Sequence, residues 1–322
     1  MTQVSIVVPV YNSADCLPEL ARRIHQDVGA HFEAYELILV NDDSPDNSWA
    51  TIVQLAGKYG FIRGVNLRRN VGQDNAIMAG LHHAEGQVVV IMDDDLQHDP
   101  SDIYPLHQEL QKGADVVYAH FEKKEQAGWK NFGSWLAGRL AVIVLGKPRD
   151  IYMSPYKAIR REILSEIIKY DGPYSYVDGL IFTITSNITQ LAATHHTRFK
   201  GKSNYNLWKS ILVWLKLATS FSVIPLRLAT ITGGVMSLIS FVLAFFFVLY
   251  ALVFQKLPEG WASLIVSVTF LGGIQLVGIG AVGEYIGRMF ITQNKRPQFI
   301  VKQVCHGSSA AASHSSFQTR DF

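Results

Sequence analysis

Three consecutive aspartates, Asp93, Asp94 and Asp95, follow the apolar run Val88–Met92, and Asp99 comes shortly after them. Like charges this close repel, and carboxylates withdrawn from water are costly unless something pairs with them. The cluster is therefore either a solvated acidic turn or a holder of a cation. If strand geometry continues past Met92, Asp93 and Asp95 project to one side and Asp94 to the other, because side chains alternate with period two. Two carboxylates and the oxygens of a diphosphate complete the shell of a hard divalent cation, Mg²⁺ or Mn²⁺. Such an ion neutralises charge on a departing diphosphate. Asp-x-Asp is common by chance, so its setting must decide between the two readings.

That setting is an alternation of strand and helix signals over the first 120 residues or so. Continuous apolar runs at Val4–Val10 and Tyr35–Val40 are followed by a weaker run, Ile62–Leu67, and by Gln87–Met92 and Ala114–Ala119. Between them lie amphipathic stretches at Ala14–Val28, Ser48–Tyr59, Asp74–His83 and Ser101–Lys112. Buried strands separated by helices imply βαβ units, hence an α/β fold with a mostly parallel sheet and flanking helices. Ligands of such sheets bind at the carboxyl ends of the strands. Pro9–Asn12, Asn41–Ser44 and Asp93–Asp95 each follow a strand, so three polar turns meet along one edge. This placement favours the cation over the plain acidic turn.

Further on, Ser154–Tyr170 has helical periodicity and a Ser-Pro start, which predicts a helix. The segment from His195 to Tyr205 is basic, with Arg198, Lys200 and Lys202; Arg offers a bidentate fork to phosphate. His195 and His196 are either structural or extra metal ligands, and Asp178 is either a sugar contact or a helix cap. Residues 206–226 pair Trp208 and Trp214 with Lys209 and Lys216 at helical spacing, as an interfacial helix does. Leu228–Gln255 and Gly260–Gly283 carry no charge. Each exceeds the roughly 30 Å of bilayer hydrocarbon when helical, so residues 227–290 are expected to form two transmembrane helices. Arg227 before them, and Arg288, Lys295, Arg296 and Lys302 after them, place both termini and the catalytic domain in the cytoplasm. Residues 291–322 are expected to be a largely disordered cytoplasmic tail, the polar end from His306 above all. Gly272, Gly273, Gly278, Gly280 and Gly283 permit close helix contact, within the chain or between copies of it. The net charge of +2 gives no reason to expect a nucleic-acid partner, and the two cysteines have no metal or redox spacing.

The motifs "VSIVVPVYN", "LVNDDSPDNS", "LRRNVGQDNAIMAGLHHAEGQVVVIMDDDLQHDP" and "GEYIGR" resemble, in this order, family-2 glycosyltransferases of the polyisoprenyl-phosphate type. The resemblance runs from about Val4 to Val304. It implies a GT-A fold over residues 1–205 and inverting, metal-dependent hexosyl transfer from a nucleotide sugar, a UDP-sugar, to a polyprenyl phosphate at the inner membrane. Glucose is the implied sugar. Pro9, Tyr11 and Asn12 match the first nucleotide-binding loop, and Asn41, Asp42 and Ser44 match the turn that meets the base. Arg69, Asn70 and Gly72 match the segment beneath the donor. Asp93 and Asp95 match the metal pair, with Asp94 between them and Gln97 two residues on. Arg198, Ser203 and Tyr205 match the segment that enters the interfacial helix, where Arg198 and Lys202 suit an acceptor phosphate. Phe121 stands where relatives have an Arg, and Pro155, Tyr156 and Lys157 replace their usual Gly, Phe and Arg.

A phosphate acceptor has a second pKa of about 6 and needs little help from a base. A hydroxyl acceptor on another lipid or a glycan would require one, and Asp178 or Asp150 would be the candidate. A non-catalytic membrane scaffold is the third reading, and a retained repulsive carboxylate pair argues against it.

Overall fold

The structure is a computed structural model describing residues 2–121, 151–172, 175–193, 224–254, 260–294 and 297–307. The chain separates into two units, Met1–Asn204 with Pro297–Phe322, and Tyr205–Arg296.

In the first unit, strands β1 (Val4–Val10), β2 (Tyr35–Asn41), β3 (Ile62–Leu67), β4 (Val88–Ile91), β5 (Val116–Phe121), β6 (Lys157–Arg160), β7 (Ile188–Ala193) and β8 (Val301–His306) form one sheet. Their order is β7-β5-β6-β4-β1-β2-β3-β8. β1 is buried along its whole length, as its unbroken apolar run requires of a strand covered on both faces. It pairs in parallel with β2 on one side and with β4 on the other. The sheet therefore grows in two directions from β1, and the crevice at this switch point is where such sheets accept ligands. Helices α1 (Leu17–Asp27), α2 (Ser48–Lys58), α3 (Gln73–His83), α4 (Ile103–Gln111), α5 (Arg161–Ile167) and α6 (Val177–Ile184) flank it. α3 lies close on β1 and β2 because Gly80 has no side chain: a Cβ there would overlap Val7 Cγ1. This close approach fixes where Gln73, at the start of α3, emerges.

The sheet is mixed, and two strands depart from expectation. Lys157–Arg160, expected at the head of a helix, is instead strand β6, antiparallel to both β4 and β5. Backbone partners on both sides override the helical periodicity, which is confined to α5. Val301–His306, expected to lie in a disordered tail, is strand β8, antiparallel to β3. Its pairing covers the exposed edge of β3.

The second unit holds two long helices, α7 (Ile224–Phe254) and α8 (Trp261–Gln293). Within α8, Phe270–Gln293 is long and apolar enough to cross a membrane, with mean hydropathy 1.3. In α7 the apolar segment found among the described residues is Ala229–Leu243, so a second span is not shown. Of the expected interfacial helix, 206–223 lie outside the described residues and 224–226 begin α7.

Candidate active site

At the carboxyl ends of β1 and β4 a cavity of about 330 Å³ is lined by Pro9, Val10, Tyr11, Asp42, Asn70, Gly72, Gln73, Ala76, Asp93, Asp94 and Asp95. The register explains the gathering: Val10 pairs with Asn41, and Val7 with Ile91, so the turns after β1, β2 and β4 start side by side.

Asp42 organises one wall. It is buried, and its carboxylate accepts hydrogen bonds from the Val71 amide at 2.8 Å and the Gly72 amide at 2.9 Å. Burial raises its pKa, against the two amide bonds that pull it down. The Asn70 side chain closes the same turn by donating to the Asp42 carbonyl at 3.3 Å. Gly72 itself has φ 89°, a left-handed conformation that suits glycine, and leads directly into α3. The Asp42 carboxylate thus shapes the 70–72 loop from within.

The acidic wall is held as closely. Gln73 donates from Nε2 to Asp93 Oδ1 at 2.8 Å, and the Gln97 amide donates to Asp95 Oδ1 at 3.1 Å. Strand geometry ends at Ile91, so the alternation expected of residues 93–95 does not hold and Asp94 lines the same cavity as its neighbours. Asp94 accepts from the Tyr11 amide at 3.3 Å. Burial pushes its pKa up to about 6, the charge of Asp95 adds to the rise, and the Ser13 hydroxyl and Tyr11 amide oppose it. Asn12, Asp43 and Leu96 take φ of 59°, 52° and 61°. Left-handed non-glycine residues in all three strand-end turns mark backbone held by its surroundings.

Other expected site residues sit around the cavity without lining it. Asn41 is buried in the sheet and donates to Asn66 Oδ1 at 2.8 Å. Ser44 accepts from the Asn12 amide at 3.2 Å, tying two turns together, and Arg69 is exposed. Asp178, in the first turn of α6, accepts from the Tyr118 hydroxyl at 2.7 Å and from Lys157 Nζ. Lys157 is buried, so Asp178 is committed to an ion pair and neither caps the helix with its side chain nor lines the cavity. Arg198, Lys202, Ser203, Tyr205, His195, His196 and Asp150 lie outside the described residues. Gln73 and Ala76 line the cavity without having been singled out by sequence. The first residue after Gly72 at a helix start, facing a strand end, is a signal that would have found Gln73.

Among the described residues no group of three or more His, Cys, Asp and Glu side chains could hold a metal ion. Asp93 and Asp95 offer two oxygen donors, which suits an ion whose remaining positions go to phosphates and water, as Mg²⁺ and Mn²⁺ prefer.

The family model "Glycosyl transferase family 2" matches residues 5–168. An uncharacterized glycosyltransferase of Synechocystis sp. is 31% identical over 307 residues, covering 94% of this chain and 95% of that protein. The undecaprenyl-phosphate 4-deoxy-4-formamido-L-arabinose transferase of Klebsiella pneumoniae is 31% identical over 313 residues, 96% of either chain. Among solved structures, glucosyl-3-phosphoglycerate synthase from Mycobacterium tuberculosis, in complex with Mn²⁺, UDP and glucosyl-3-phosphoglycerate, superposes with a TM-score of 0.51. It is 17% identical, over 68% of this chain and 78% of that one, and supports the GT-A fold.

Proposed function

Because the chain belongs to glycosyl transferase family 2 and is a glycosyltransferase, we propose that it moves a sugar from a UDP-sugar to a polyprenyl phosphate at the cytoplasmic face of a membrane. The observation that carries this reading is the cavity in which Asp93, Asp94 and Asp95 face the Asp42-shaped loop. The relative that acts on undecaprenyl phosphate, similar along nearly its entire length, supports the acceptor. Glucose is the sugar we propose.

In this reading the exposed ring of Tyr11 stacks on the base, and the amide-rich turn at 70–72 borders the diphosphate. Asp93 and Asp95 would hold Mg²⁺ or Mn²⁺, with Gln73 orienting the first of them. The ion, when bound, supplies positive charge to the leaving diphosphate. An acceptor phosphate oxygen bonds to the anomeric carbon as the bond from that carbon to the β-phosphate oxygen breaks. The configuration inverts and the nucleoside diphosphate leaves. The acceptor is already largely dianionic at neutral pH, so no base has to remove a proton. The pairing of Asp178 with Lys157 supports this, since it withdraws a candidate base from the chemistry. Arg198 and Lys202 are proposed to receive the acceptor phosphate, with Ser203 and Tyr205 beside it.

The topology proposed for the membrane unit has two crossings. One sheet occupies one compartment, and β8 rejoins it after α7 and α8. This return to the sheet supports an even number of crossings between them. With Phe270–Gln293 as one crossing, α7 is proposed as the other, and the basic residues flanking the pair, Arg227, Arg288, Lys295 and Arg296, support cytoplasmic termini.

The test supplies the full chain in detergent with radiolabelled UDP-glucose, or with other UDP-sugars, and either polyprenyl phosphate or a hydroxyl lipid. Label in the polyprenyl phosphate product is expected. Label only in the hydroxyl lipid would overturn the acceptor, and no transfer from any donor would overturn the catalytic reading.

A further inference from the structure

We propose that His98, stacked against Phe121 and Tyr156, is a positioning residue that sets Asp93 for binding the metal–diphosphate pair. This rests on the metal reading above. His98 is buried, and its Nδ1 accepts the backbone N–H of Asp93 at 3.2 Å. An accepting Nδ1 carries no proton, so the ring proton is on Nε2. The bond joins the two ends of the segment from Asp93 to His98, which turns back on itself through the left-handed, buried Leu96. The imidazole therefore acts as a clasp on the backbone from which Asp93 and Asp95 project.

The clasp is itself held. The His98 ring lies nearly parallel to Phe121, with 5.5 Å between centroids and a 2° angle, and to Tyr156, with 5.0 Å and 16°. Tyr156 is fully buried, and its hydroxyl donates to the Asp99 carbonyl at 2.9 Å, fixing the residue after His98 as well. Three strands contribute: β4 leads into Asp93, β5 ends at Phe121, and Tyr156 immediately precedes β6. Groups that orient a metal-holding carboxylate govern affinity for the ion without touching it.

Three substitutions separate the clasp from ordinary packing. His98→Phe keeps an aromatic ring and loses the acceptor. His98→Asn loses the ring but puts its Oδ1 where Nδ1 was. Phe121→Leu keeps the imidazole and removes one stacking partner. Mn²⁺ binding is titrated by electron paramagnetic resonance on the full chain in detergent with saturating UDP, and thermal midpoints are recorded alongside. His98→Phe is expected to weaken Mn²⁺ binding about 10- to 100-fold, and His98→Asn to stay within about threefold of the parent. Unchanged binding in a folded His98→Phe protein, or equal weakening in both variants, would overturn the proposal. If His98→Phe does not fold, Phe121→Leu decides: several-fold weaker binding supports the clasp, and unchanged binding overturns it. Absence of Mn²⁺ binding by the unsubstituted chain would remove the metal reading, and this inference with it.

Discussion

Asp42 and Asp93 are both carboxylates at strand ends, yet their surroundings give them different work. Asp42 spends its oxygens on two backbone amides, so Asp42→Ala leaves the Val71 and Gly72 N–H groups without their carboxylate. It is expected to lose about 1–3 kcal/mol of stability. Its KM for the donor should rise more than kcat falls, checked by denaturant unfolding and steady-state kinetics. Asp93→Ala or Asp95→Ala removes a proposed donor to the ion while leaving the sheet intact. Each is expected to lower kcat/KM by roughly several hundredfold, about 3–4 kcal/mol, in the radiolabel assay. Turnover that survives both replacements together would refute the metal role. Asp93 and Asp95 were legible in sequence because acidic residues after an apolar run contradict simple burial. His98 was not: a lone His carries no such contradiction, and its proposed role exists only once the turn after β4 brings the ring to the Asp93 backbone N–H.

α3 starts between the cavity and a second, buried polar cluster. Asp74 lies near Asp178 and Lys157, and burial pushes its pKa up to about 6, with the Asp178 charge adding to the rise and Lys157 and the Val177 amide opposing it. Its folded value exceeds the unfolded value, so its favourable contribution is complete below about pH 4 and is lost as pH rises through about 6. Asp74→Asn removes that titration. The variant should melt above the parent at about pH 7.5, and the gap should close towards about pH 4, measured by scanning fluorimetry across that range. At this scale the first five strands were readable, since each is an apolar run between turn residues. β6 and β8 were not. Lys157–Arg160 is too short to show a period, and Val301–His306 alternates weakly; both are strands because neighbours far away in sequence offer hydrogen bonds.

The chain as a whole combines a GT-A unit with a second unit whose helices expose large apolar side chains, among them Phe241, Leu276, Val277 and Phe290. Alkaline carbonate washing of membranes from expressing cells is expected to leave the protein in the pellet, and detergent to release it; recovery in the wash would refute a spanning helix. The apolar lengths were visible in sequence, whereas the return of the chain to its sheet was not. That return has a consequence for synthesis. The ribosome delivers β8 after both long helices, so the edge of β3 waits uncovered until they have been made. A product cut short before Val301 would carry every residue lining the cavity and still present a raw row of amides and carbonyls to its neighbours. Completion of the sheet therefore waits for Val301–His306, and a copy lacking that strand leaves the β3 edge open to pairing with another chain.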